Sequence, residues 1–145
     1  MRYIGCKTKL LETIMQTIQE FGYDNSHSFA DIFSGTGAVA DYFVRNGYRS
    51  LFNDTLYSNY VIYQAYYNNL PIRRAYIQSI LCSLNSINAQ KLPNNYFSEI
   101  YGNKYYSIND AKKIGYIRDW IEDNKSQLNE HEYYYLIASL ILSID

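Results

Sequence analysis

The residues best suited to grip a small ligand are consecutive: Asp31-Ile32-Phe33-Ser34-Gly35-Thr36-Gly37. Two glycines one residue apart tolerate positive φ and let a ligand approach the main chain closely. A helix starting just after them points its first N–H groups at the same space. Gly35-x-Gly37-x-x-Ala40 also satisfies the dinucleotide-binding pattern, so the turn alone does not choose the ligand. Asp31 bears on that choice. A carboxylate at the end of a strand, beneath the turn, repels a pyrophosphate and favours a ligand that is positively charged there. S-adenosylmethionine carries an ammonium and a sulfonium and no phosphate, which favours it over a nicotinamide or flavin dinucleotide. The plain structural alternative is a glycine turn beside a solvated aspartate.

Asp54 lies about 20 residues beyond the turn, at the end of a second strand-like run. There an acidic side chain can accept hydrogen bonds from ribose hydroxyls. It also precedes Leu56, where it would cap a helix, and the two roles are compatible. The third group is Arg2-Tyr3-Ile4-Gly5-Cys6-Lys7-Thr8-Lys9-Leu10-Leu11. Lys7 can attract a carboxylate and Tyr3 can stack on a planar group. Basic residues at a helix start oppose the macrodipole, which favours a functional reading over a simple basic start. Cys6 and Cys82 are far apart and only two histidines are present, so no metal site is expected. The free thiols point to a reducing cytoplasm.

The elements that must position these groups follow from periodicity. Leu10, Leu11, Ile14, Ile18 and Phe21 recur at helical spacing up to Gly22. Ser28 to Phe33 reads as a buried strand, Ala38 to Val44 as a helix ended by Asn46-Gly47, and Arg49 to Asp54 as a second strand. Strand, helix and strand with short links make a parallel βαβ unit. Beyond Asp54 the pattern predicts a helix over 56–69 and a break at Pro71. A helix over 72–84, burying Ile77, Ile80, Leu81 and Leu84, follows. The stretch 85–106, with Pro93 and Gly102, reads as mostly loop. Ser107-x-x-Asp110 and Asn129-x-x-Glu132 are capping patterns for two last helices. The second of these carries an apolar stripe of Tyr133, Leu136, Ile137, Leu140, Ile141 and Ile144.

Composition narrows the function classes. With 145 residues, 48% of them hydrophobic, the chain can bury a real core and is not disordered. Its formal net charge of −1 means that attraction to nucleic acid must come from a local patch. The start is too polar for a signal peptide and no apolar run approaches membrane-spanning length, so no membrane association is expected. The 18 tyrosines suit half-wet surfaces and base stacking, although for any single one a biased, Asn/Ile/Lys/Tyr-rich coding composition is the stronger reading.

The order Tyr3-Ile4-Gly5-x-Lys7-x-Lys9-Leu10-Leu11, then Asp31-x-Phe33-x-Gly35-x-Gly37, then Phe52-Asn53-Asp54 resembles the N-terminal part of Dam-type N6-adenine DNA methyltransferases. It is most similar to their restriction-modification relatives. Asn95-Tyr96-Phe97, the stretch 105–118 and the stretch 132–140 resemble the same group, so the likeness spans nearly the whole chain. It implies an α/β class: a partial Rossmann-like S-adenosylmethionine-dependent methyltransferase fold with a short parallel sheet. Residues 1–55 would form its cofactor-binding part and 56–145 a helical, target-recognition-like part. Carried over by motif, Tyr3 and Lys7 belong to the first cofactor motif. Asp31, Phe33, Gly35 and Gly37 hold the methionine end of S-adenosylmethionine, and Asp54 holds the ribose. Cys6 departs from the small residue often found at its position.

The resemblance also implies double-stranded DNA as partner and methyl transfer to the exocyclic amine of a flipped-out adenine. The family's catalytic motif is Asp or Asn followed by Pro-Pro and an aromatic residue. The two prolines here, Pro71 and Pro93, are not adjacent, so no catalytic residue is assigned. The expectation is a truncated or split enzyme, inactive alone, whose partner is a second chain supplying the missing catalytic half, or which self-associates. A non-catalytic S-adenosylmethionine- or DNA-binding subunit, and a dinucleotide-binding domain, are the alternatives.

Overall fold

The computed structural model describes residues 7–144. The chain divides into two compact units that meet between Tyr63 and Gln64. In the first, a single 3-10 turn at Lys7–Leu10 leads into α1 (Leu11–Glu20). Gly22, at φ +84°, ends that helix, as its position in the sequence predicts. Then come β1 (Ser28–Asp31), α2 (Ala38–Arg45), β2 (Arg49–Phe52) and α3 (Tyr57–Tyr67), the last of which continues into the second unit. The two strands pair in parallel, Ser28 opposite Arg49 through Asp31 opposite Phe52, with α2 as the crossover.

The core of this unit is built from Met15, Val39, Phe43 and Tyr48, with Ile14, Ile18 and Phe29 packed against it. Phe29 stacks on Phe43 at 3.8 Å between ring centroids, which binds β1 to α2. The strand read as buried up to Phe33 is shorter and wetter than expected. It ends at Asp31, because the Ser34 hydroxyl donates to the Asp31 carbonyl and closes a turn there. Among the described residues, helices cover only the face of the sheet that carries Phe29 and Asp31. Alternation therefore leaves Ala30 exposed and its partner Leu51 58% exposed on the other face, with Ile32 and Phe33 exposed beyond the strand.

The second unit consists of α4 (Arg74–Asn85), α5 (Tyr96–Tyr101), α6 (Ile108–Asp123) and α7 (Glu130–Ser143). Ile77, Ile80 and Leu84 of α4 pack with Ile121 of α6 and Leu136 of α7, the interior that the helical spacing predicts. Both capping patterns are realised. The Ser107 hydroxyl accepts the Asp110 N–H, and Asn129 and Glu132 form a reciprocal capping box. Two expectations need correction. The stretch read as loop contains α5, six residues long and too short to show a period of its own. A capping box of Asn95 and Ser98 starts it, and Asn95 Nδ2 donates to the Lys112 carbonyl of α6 at 2.8 Å. Gly115 permits that approach, since a Cβ there would sit 2.3 Å from Asn95 Oδ1. The second correction is that α4 begins at Arg74 rather than Ile72. The Arg73 N–H is held by the buried Glu132 carboxylate, which fixes where the helix can start. Among the described residues no helix is long and apolar enough to cross a membrane.

Candidate functional site

β1 delivers Asp31 to the end of the ladder, and the glycine turn begins there. The Asp31 carbonyl accepts from the Asn53 N–H at 3.0 Å and from the Ser34 hydroxyl at 2.6 Å. The Ser34 N–H in turn donates to the Asn53 carbonyl at 2.9 Å. Asn53 Nδ2 adds a bond to the Ile32 carbonyl at 3.0 Å. The base of the turn is thus laced to the residue just past β2. The Gly37 N–H donates to the Ser34 carbonyl at 2.7 Å, which closes a four-residue turn. Gly35 and Gly37 have φ of +53° and +78°, so each needs the freedom of glycine. Gly37 needs it a second time, because a Cβ there would lie 3.2 Å from the Tyr63 ring and 3.4 Å from that of Phe52.

Asp54 is both helix cap and tether. Its Oδ1 accepts the Leu56 N–H at 2.9 Å, as the capping reading expects, and its Oδ2 accepts the Gly35 N–H at 2.8 Å. The N–H groups of Leu56 and Gly35, joined by the Asn59 side chain, hold the carboxyl below the usual aspartate range.

Asp31 is treated differently. It is only 9% exposed, and its Oδ2 is buried with no hydrogen-bond partner among the described residues. A carboxylate oxygen taken from water and left open costs about 1–3 kcal/mol or more. Such an atom is suited to an incoming cationic donor. At the start of α2, Gly37 supplies no side-chain cap, so the helix N-terminus is not blocked by its own residue.

The structure therefore gathers Asp31, Gly35, Gly37 and Asp54 around one turn. Phe33 stands beside it, 70% exposed and turned to solvent rather than packed. Lys7 is exposed in the 3-10 turn that packs on α2, and no hydrogen bond or ion pair among the described residues joins it to the glycine turn. Tyr3 and Cys6 lie outside the described residues. Sequence reasoning missed Ser34 and Tyr63. The Tyr63 hydroxyl donates to the Gly35 carbonyl at 2.5 Å. Nothing marked that residue among 18 tyrosines. Its spacing of four from Asn59, which puts the two on one face of α3, is the only local signal. Among the described residues no group of three or more His, Cys, Asp or Glu could hold a metal ion.

Comparison with known proteins adds an independent finding. The family description "D12 class N6 adenine-specific DNA methyltransferase" matches residues 3–145. The modification methylase StsI of Streptococcus sanguinis is 35% identical over 153 aligned residues, covering 97% of this chain and 23% of that protein. The Type II methyltransferase M.FokI of Planomicrobium okeanokoites is 33% identical, covering 99% of this chain and 24% of its own length. The Type II methyltransferase M.NlaIII of Neisseria lactamica is 32% identical, with 45% of its length covered. The chain thus spans about a quarter to under half of the length of these curated relatives. No solved structure matches it.

Proposed function

The chain belongs to the D12 class of N6 adenine-specific DNA methyltransferases, and from that premise we propose that it binds S-adenosylmethionine at the turn 31–37. In this reading it serves methyl transfer to the exocyclic amine of adenine in double-stranded DNA, as a cytoplasmic component of a restriction-modification system. Asp31 receives the ammonium of the methionine end, with Gly35 and Gly37 supplying close backbone and Phe33 an apolar wall. Asp54 receives the ribose hydroxyls, and Tyr3 and Lys7 complete the cofactor contacts. Residues 1–55 form the cofactor part of a Rossmann-like fold, and 56–145 the target-recognition part. When bound, the cofactor supplies an electrophilic methyl group; the residues here hold it and shield one end from water.

The observation that carries this reading is the open, buried Oδ2 of Asp31. A pyrophosphate would be repelled there, whereas an ammonium would relieve the desolvation that the carboxylate bears. Methyl transfer needs more than these residues. The 145 residues contain no adjacent prolines, and so no Asp/Asn-Pro-Pro-aromatic group to accept hydrogen bonds from the adenine amine. We assign that group to further polypeptide outside these 145 residues, because a second copy of them would lack it as well. The complete assembly would align a flipped adenine in line with the methyl group. Titration calorimetry of the 145-residue chain tests the proposal. Binding of S-adenosylmethionine without binding of NAD is the expected result, together with no incorporation of labelled methyl into adenine-containing DNA. Equal binding of NAD overturns the cofactor assignment, and incorporation by the chain alone overturns the need for added polypeptide.

A further inference from the structure

We propose that Tyr63 is a positioning residue that sets the glycine turn to read the carboxylate of its ligand. The turn runs from Ser34 to Gly37, and its closing bond is the Gly37 N–H to the Ser34 carbonyl. The peptide between Gly35 and Thr36 is central to it and can rotate without breaking that bond. Thr36 keeps a negative φ, the side that a β-branched residue prefers, and Tyr63 adds a hydrogen bond that holds the same orientation. Its hydroxyl holds the Gly35 carbonyl, and the hydroxyl has little freedom itself. Tyr63 is 7% exposed, its ring lies against Gly37, and it sits 5.2 Å from the ring of Phe52.

The consequence follows from amide geometry. In a trans peptide the C=O and the next N–H point in opposite directions. With the Gly35 carbonyl turned to Tyr63, the Thr36 N–H is turned away from it. Thr36 is exposed, and no described residue accepts from its N–H. The Gly35 N–H is already taken by Asp54. The Thr36 N–H is therefore a donor of the turn that is left for a ligand. It complements the open Oδ2 of Asp31, so that one turn presents an acceptor for an ammonium and a donor for a carboxylate. That pair suits the amino-acid end of a ligand. The inference rests on the S-adenosylmethionine reading and adds to it the residue that sets the donor.

Tyr63→Phe removes the hydroxyl and keeps the ring. The full 145-residue chain and this variant are titrated with S-adenosylmethionine and with methylthioadenosine, which keeps the adenosine and a methylated sulfur, now an uncharged thioether, but lacks the amino-acid portion. The variant is expected to lose about tenfold in affinity for S-adenosylmethionine, the scale of one hydrogen bond to a charged group, with methylthioadenosine unchanged. Equal loss for both ligands, or loss for neither, overturns the role of Tyr63 while the cofactor reading stands. Failure of the native chain to bind S-adenosylmethionine overturns both. If the variant does not fold, the Thr36 amide resonance of the native chain decides. It moves on adding S-adenosylmethionine and not on adding methylthioadenosine; equal movement with both overturns the proposal.

Discussion

Glu132 in the second unit and Asp31 in the first are both carboxylates withdrawn from water, at 0% and 9% exposure. Glu132 is saturated. Its Oε1 accepts the Arg73 N–H at 2.9 Å and Arg73 Nε at 2.8 Å. Its Oε2 accepts Arg73 Nη2 at 2.6 Å and the Asn129 N–H at 3.0 Å. Those hydrogen bonds, led by the Arg73 guanidinium, hold the Glu132 carboxyl down at about 2. The group joins the start of α4 to the start of α7, and every donor comes from the protein. Asp31 has an oxygen for which the protein supplies no donor among the described residues. A buried charge with all its partners present is architecture. A buried charge with one partner withheld costs stability and is suited to an outside donor.

The largest expected effect tests the saturated side. Glu132→Gln keeps the shape but removes the charge that Arg73 grips, and should destabilise the chain by about 2–3 kcal/mol in urea unfolding. The low end applies because Arg73 is itself 55% exposed. The native chain carries a matching pH signature. The folded pKa of Glu132, about 2, lies below its ordinary 4.5. The stability it contributes is therefore fully present above the ordinary value and is lost as pH falls from there towards 2. The Gln variant should show a flatter acid limb over that window; an unchanged slope would mean that the pair contributes little.

Gly37→Ala comes next. A φ of +78° and a Cβ 3.2 Å from the Tyr63 ring should together cost about 1–2 kcal/mol. Affinity for S-adenosylmethionine should fall as the turn opens. An alanine variant as stable as the native chain would show that the turn is not held as tightly as its bonds suggest. The smallest stability effect sharpens the comparison most. Asp31→Asn should cost no stability and should raise it by up to about 1 kcal/mol, because an open buried charge is removed. Cofactor affinity should nevertheless fall at least tenfold, roughly what a charged hydrogen bond contributes. A destabilised Asp31→Asn would place Asp31 with Glu132 as a structural group.

Much of the first unit was legible in the sequence, because its signals are local. Gly22 ends α1 and the glycine turn follows β1, each decided by residues within a turn of one another. The same holds for Ser107 and Asn129, which cap the helices they precede. Of the candidate site, Asp31, Gly35, Gly37 and Asp54 were legible as residues that the glycine turn gathers, because their types announce their chemistry. The burial of β1 was overestimated, since a run such as Phe29-Ala30-Asp31-Ile32-Phe33 does not reveal that, among the described residues, helices cover only one face of the sheet. α5 was missed because six residues carry no period, and its anchor is a contact between Asn95 and Gly115.

By itself the sequence determined the family, the order of strand and helix, and a carboxylate beneath a glycine turn, because these reside in residue type and short spacing. Tertiary structure alone decided that Glu132 is saturated by Arg73 across 59 residues, and that Tyr63 grips the Gly35 carbonyl across 28. It also decided that Asp54 holds the Gly35 N–H and that Asp31 keeps an oxygen open to the described residues. The physical reason is that hydrogen-bond satisfaction depends on which donors arrive in three dimensions, and a carboxylate looks the same in the sequence whether all of its partners arrive or one is withheld.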